Sequence, residues 1–486
     1  MPSPSGNESP AATRFSREHF VAQLFAPLDA ASASVLRIVL GTIVLWEVFR
    51  FVGYGWVEVL YVLPRFHFTY FGCEWVRPLP GVWMYLVFVG IAAAGLFVAV
   101  GFRYRVASAV LTVGWIYVFL LDQTTYLNHA YLIALICILM TVVPAPRLWS
   151  IDARRDARLR SDTIPTWVLW LLRFQIAVPY VFGGIAKLNL DWLQGQPMQM
   201  WMSRMSHVRA VIPAFGEHWL ALAFSYGGLL FDLGIVPLLM WRRTRTAAFL
   251  TAVVFHGLNS ILFQIGVFPW LMIFATTIFF EPDWPRRCLR RCTGSTEQPL
   301  RIAIATNVPR RLILIGVASW IAVQVLLPWR HLLYPGDVAW TEEGYRFSWR
   351  MMLTDKPTAF RITADGLSNG WTRPIDPRNY LTPLQVDKMS QYPEMMAEFC
   401  RFLGDELRRD GHPEARVHVF ALSSLNGRKP QLLVDPDVDL SRTSRSLRAQ
   451  PWIQPLTEPL PAEPWLFPMS QWERRAFATP RHESER

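Results

Sequence analysis

The chain reads as a polytopic α-helical membrane protein of about nine transmembrane helices with a C-terminal, mostly β extracytoplasmic domain. Three observations carry that reading. Apolar runs of about 18–20 residues recur along the first two thirds of the sequence, long enough to cross a bilayer as helices and too long and uninterrupted for barrel strands. Arginines cluster in the short connections between the runs, where orientation signals belong. Beyond about Pro328 the long runs stop, and short apolar patches alternate with Pro, Asp and Gly. Of the 486 residues, 52% are hydrophobic, more than a soluble chain of this length needs. The net charge of +11 comes from those inter-run arginines, so nucleic-acid binding is rejected.

Residues 1–27 open polar and Pro-rich, from Met1-Pro2-Ser3-Pro4 onward, and read as a disordered cytoplasmic tail. They lack the charged-then-apolar pattern of a cleaved signal peptide. Spans are expected at 32–52, 82–101, 107–121, 125–143, 166–187, 218–241, 247–265, 266–280 and 311–328, forming a transmembrane catalytic domain over 28–328. Every even-numbered exit is basic: Arg103 and Arg105; Arg147, Arg154, Arg155, Arg158 and Arg160; Arg242, Arg243 and Arg245; Arg286, Arg287, Arg290 and Arg291. The positive-inside rule then puts the N-terminus in the cytoplasm and everything after Leu327 outside. Arg173 interrupts the fifth span toward its cytoplasmic end, where it could snorkel. The aromatic connection 53–81 belongs at the outer interface, and 188–217, rich in Met and Trp, reads as an amphipathic stretch on the membrane surface. In the extracytoplasmic domain, 329–470, period-two alternation over Arg416–Leu422 predicts a strand, and 382–408 has helical spacing. Residues 471–486 read as a polar tail.

Candidate chemistry gathers at one depth. Lys187 closes the fifth span, where a lysine either snorkels to water or is held as a desolvated, neutral base. Which reading holds depends on whether other polar groups reach the same level. Asn128 and His129 open the fourth span at its outer end, and His256 and Asn259 lie about one turn apart in the seventh. A lone intramembrane His is commonly a helix–helix contact. An imidazole, a lysine and amides together in the outer half of the bilayer suggest a site open to lipid and to an external substrate. No paired CxxC and no HExxH is present, so no metal is expected, and no GxSxG elbow points to a serine hydrolase.

At these residues the sequence resembles the vitamin K-dependent gamma-glutamyl carboxylase family, bacterial relatives included, from about Leu28 to Pro459. The stretches that carry the resemblance are Thr125-Tyr126-Leu127-Asn128-His129, Gly183-Gly184-Ile185-Ala186-Lys187-Leu188-Asn189, Asp191-Trp192, Phe255-His256-Gly257-Leu258-Asn259 and Ser348-Trp349-Arg350-Met351-Met352. The resemblance implies that Lys187 deprotonates reduced vitamin K, a phylloquinol or menaquinol, and that His129 with Asn128 hydrogen-bonds the quinol oxygens. His256, Asn259, Met351 and Met352 are assigned to the same pocket, and Trp349 to the glutamate substrate. It further implies that dioxygen attacks the quinol anion to give a strong base. That base removes the γ-proton of a glutamate in a protein or peptide substrate, carbon dioxide adds, and the quinol leaves as an epoxide. Cys73 and Cys400 stand where the family has a disulfide. Two other readings stand beside this one: a quinone-using membrane oxidoreductase that forms epoxide without carboxylation, and a transporter or structural membrane protein. A polar cluster at one face argues against transport, which places its site near the midplane. The host membrane is a bacterial inner membrane, or the endoplasmic reticulum if the source is eukaryotic.

Overall fold

The computed structural model describes residues 17–144, 148–263, 265–294, 308–366 and 370–477. Most of the two tails, 1–16 and 478–486, and Arg147 of the basic clusters lie outside the described residues. Arg17–Leu24, read as part of the tail, is helical.

Among the described residues, a helix occupies each segment expected to span: α1 (Ala31–Gly53), α2 (Val82–Val100), α3 (Tyr104–Leu120), α4 (Asn128–Val142), α5 (Thr166–Ala186), α6 (His218–Met240), α7 (Arg245–Leu262), α8 (Phe268–Ala275) and α9 (Arg310–Leu326). Four are long and apolar enough to cross a membrane: α2, α5, α6, and α9 with its extension to Leu333. The segments Tyr104–Leu120, Asn128–Val142 and Phe268–Phe279 are apolar but shorter. The apolar side chains point outward as well as inward. Trp46, Phe49, Val113, Leu230 and Ile261 are exposed, which suits acyl chains and not water.

Small residues set the helix crossings. A Cβ at Gly41 would lie 2.4 Å from the carbonyl oxygen of Gly95, so α1 and α2 meet backbone to backbone. Asp29 accepts from Ala31 N–H at 2.8 Å at the start of α1. Arg173 does not snorkel. Its guanidinium donates to the carbonyls of Ile278 and Phe280, each at 2.9 Å, and so satisfies the helical turn that follows α8. A short antiparallel pair, β1 (Pro27–Asp29) with β2 (Thr163–Pro165), ties the entry of α1 to that of α5, with Leu28 opposite Ile164.

The C-terminal domain holds a four-stranded antiparallel sheet in the order β4 (Thr372–Ile375), β3 (Thr358–Asp365), β5 (Arg416–Ser423), β6 (Gln431–Leu432). Strand β3 pairs with β5 from Thr358↔Ser423 to Asp365↔Arg416. Helices α10 (Pro383–Gln391) and α11 (Pro393–Arg409) pack on it, burying Met389, Met395, Phe399 and Leu403 with Val417 and Val419. A reciprocal cap between Thr382 and Gln385 starts α10. The two helices cover more residues than the strands, so the domain is α+β and the expectation of a mostly β fold is corrected. Strands β3 and β5 alternate over part of their length, β5 from Arg416 to Ala421; β4 and β6 are short edge strands.

Several contacts seat this domain on the membrane part, the following among them. Glu398 accepts from Thr69 N–H at 3.0 Å and from Thr69 Oγ1 at 2.8 Å. Gln385 donates to Asp122 Oδ2 at 2.8 Å. Arg428 grips Asp191 with two bonds of 2.6 and 2.7 Å, and Asn426 adds a third at 2.8 Å. The disulfide implied by the family resemblance is not formed: Cys73 and Cys400 are both free thiols. Cys400 is fully buried within the C-terminal core, while Cys73 packs against the core of the membrane helices. Glu398, close by on α11, makes the tie that a bridge would have made.

Candidate functional site

Lys187 follows the last turn of α5. Its Nζ lies 2.6 Å from Asp232 Oδ2 on α6, and both side chains are buried. Neither charge would be tolerated alone at this depth. The amine is therefore one half of a pair; the sequence reading offered snorkelling or a neutral base among other polar groups, without naming Asp232. Glycines let the partners meet. A Cβ at Gly184 would come within 2.7 Å of Leu233, and one at Gly183 within 3.3 Å of Met351 Cε and 3.4 Å of Asp232 Oδ2. The Trp192 ring lies 5.2 Å from Lys187 Nζ and is fixed by donation from its Nε1 to Ser225 O at 2.7 Å. Asp191, held by Arg428, precedes it in the chain.

His256, buried on α7, bonds through Nε2 to the Tyr180 hydroxyl at 2.7 Å, while its Nδ1 has no partner among the described residues. Pro179 interrupts the bonding of α5 beside Tyr180. At the start of α4, Asn128 Oδ1 accepts from the Tyr126 hydroxyl at 3.1 Å, and that hydroxyl accepts from Phe347 N–H at 2.8 Å. Phe347, Trp349 and Met352 hold positive φ angles of 65°, 58° and 56°, a conformation that is costly for these residues and that clusters at functional sites. This strained segment delivers Met351 and Met352.

These groups line one cavity of about 600 Å³, within the range of about 300–1,000 Å³ that takes drug-sized ligands. Lys187, Asp232, His129, Asn128, His256, Asn259, Met351 and Met352 all contribute to its wall. Phe51, Trp56, Phe224, Phe255, Phe263 and Phe268 make much of the rest apolar. Trp349 is not among the lining residues. It is fully buried behind them, its ring 4.9 Å from that of Tyr131. The cavity also takes in Glu47 and Arg50 of α1. Sequence reasoning missed these two and Asp232, although each is a charge inside an apolar run, which is itself a signal.

Residues 25–284, which supply most of this wall, match the HTTM domain family. Residues 309–459, which supply Tyr345, Met351, Met352, Leu384 and Lys388, match the vitamin K-dependent gamma-carboxylase lumenal domain. The chain belongs to the vitamin K-dependent gamma-carboxylase family. No solved structure matches it. As a member of this carboxylase family it is a membrane protein, and vitamin K is the cofactor that membership implies. The residues present suit such a group. Flat aromatic walls fit a fused ring, and the unpartnered His256 Nδ1, the His129 ring and the Asn128 amide are neutral groups suited to its oxygens.

Proposed function

We propose that this chain is a vitamin K-dependent gamma-glutamyl carboxylase. The observation that carries the proposal is the Lys187–Asp232 pair on the wall of a cavity shared with His129, Met351 and Met352. The γ-hydrogen of glutamate is too weak an acid for any ordinary side chain. When bound, reduced vitamin K supplies the required base together with dioxygen, and carbon dioxide is the group added.

The residues then have separable tasks. At 2.6 Å one proton can rest on Lys187 Nζ or on Asp232 Oδ2. With it on the carboxylate, Nζ carries a lone pair and can take a proton from a quinol hydroxyl. His129 and Asn128 orient the quinol oxygens, and Tyr126 fixes the amide of Asn128. The aromatic walls exclude water, which would quench a strong base. Met351 and Met352 close the cavity from the C-terminal domain, the side from which a glutamate-containing peptide arrives, with Trp349 supporting them from behind. In this reading all nine helices span the bilayer, the N-terminus is cytoplasmic and the C-terminal domain extracytoplasmic, so that quinol enters from lipid and peptide from the aqueous side.

The test is incorporation of labelled bicarbonate into a Glu-containing peptide, with reduced vitamin K and dioxygen, alongside epoxide measurement. Incorporation by the parent that is abolished in Lys187→Ala is the expected result. Incorporation unchanged in Lys187→Ala removes the mechanism. Epoxide without incorporation identifies a quinone-using oxidoreductase instead.

A further inference from the structure

A second ion pair lines the same cavity and has no task in the mechanism above. Arg50, toward the end of α1, donates from Nη1 to Glu47 Oε1 at 2.6 Å, and its guanidinium lies 5.2 Å from the centre of the Trp56 ring. An arginine near a helix end ordinarily reaches for water. This one lies along the cavity wall, held by a carboxylate and an aromatic face. Glu47 is buried, whereas the Arg50 side chain is 20% exposed. The bond to Glu47 uses one of the five guanidinium donors, and among the described residues the guanidinium makes no other hydrogen bond. Donors on a fixed cation therefore remain available.

Their position is specific. Gly266, at φ +62°, separates Arg50 from His129: a Cβ there would lie 3.3 Å from Arg50 Nη1 and 3.7 Å from His129 Nε2. The left-handed backbone and the missing side chain leave open the space that guanidinium and imidazole both face. An ion pair at membrane depth is expensive and marks function more often than stability. A neutral quinol gives a guanidinium no charge to meet, whereas its ionised form does.

We propose that Arg50 binds the negatively charged oxygen of the ionised quinol beside His129, with Glu47 as the positioning residue that holds the fork. This rests on the quinol reading given above. The quinol O–H bond breaks, its proton goes to the Lys187–Asp232 pair, and the electron pair left on oxygen is met by Arg50, whose own protonation does not change.

The experiment is equilibrium binding to the full chain in lipid nanodiscs, read by quenching of tryptophan fluorescence. Two probes of similar shape are compared: hydroxymethylnaphthoquinone, an anion at neutral pH, and dimethylnaphthoquinone, which is uncharged. The parent is expected to favour the anion. Arg50→Gln is expected to lose about tenfold in anion affinity and less than about twofold for the neutral probe, with Arg50→Lys and Glu47→Gln between. Equal losses for both probes mean a structural role and overturn the proposal, as does an unchanged anion affinity. Should Arg50→Gln not fold, the parent decides: neutral-probe binding without anion preference overturns the role of Arg50 and leaves the quinone reading standing. A parent that binds neither probe removes both.

Discussion

Asp232 changes what Lys187 is. A lysine facing hydrocarbon alone would leave a buried charge uncompensated; beside a carboxylate at 2.6 Å it is half of an ion pair. Asp232→Asn leaves that amine without its acceptor. Quinol epoxidation is expected to fall at least about hundredfold, close to the loss in Lys187→Ala, and the double variant should be little worse than either single one. Additive losses measured by epoxide yield would show that the two act separately. The cavity-lining residues that sequence reading singled out, Lys187, His129, Asn128, His256 and Asn259, stand out because each is polar within or at the edge of an apolar run. Asp232 carried the same mark. What could not be read was its partner, 45 residues away on another helix, because spacing reports only neighbours on one face. Glu47 and Arg50 are such neighbours, three apart, yet the third wall that gives them a purpose comes from Gly266. Trp349 shows the opposite limit: motif membership put it in the pocket, and packing put it behind.

Helices were the most legible elements, since length and apolarity alone specify them. Their contacts were not. The α1–α2 crossing depends on Gly41 meeting Gly95, and two isolated glycines in apolar runs look alike whether they touch or not. Arg173 was legible as an anomaly, but its use in satisfying carbonyls beyond α8 needs the three-dimensional arrangement. The connection between α1 and α2 offers a measurable case. His67 there is buried with Nε2 unpartnered among the described residues, and burial pushes its imidazole down to about 4. The unfolded chain takes up that proton near 6.5 and the folded chain refuses it. Stability from this group is therefore complete above about pH 6.5 and is lost as pH falls toward 4, on the order of 3 kcal/mol in all. His67→Gln should flatten the fall in Tm across that window. Parallel curves for parent and variant would assign the acid sensitivity elsewhere.

The molecule as a whole is two packed units sharing one wall. The sequence marked the change of composition near Pro328 but not how the C-terminal domain sits, because the contacts that seat it join residues hundreds of positions apart. Family analogy suggested a covalent bridge there, where the structure uses Glu398 with Thr69 and Arg428 with Asp191. Arg428→Gln strands a buried carboxylate, at a cost of about 3–5 kcal/mol. The expected result is a lower Tm with reduced carboxylation, both partly restored by adding Asp191→Asn; no restoration in thermal unfolding would mean the pair is not what holds the domain. The same tie bears on how the protein is made. Asp191 leaves the ribosome early and waits for a guanidinium that is translated 237 residues later. Throughout that interval the membrane helices lack the part of the cavity wall that Tyr345, Met351, Met352, Leu384 and Lys388 supply. The pocket is thus finished only when the last third of the polypeptide has been made.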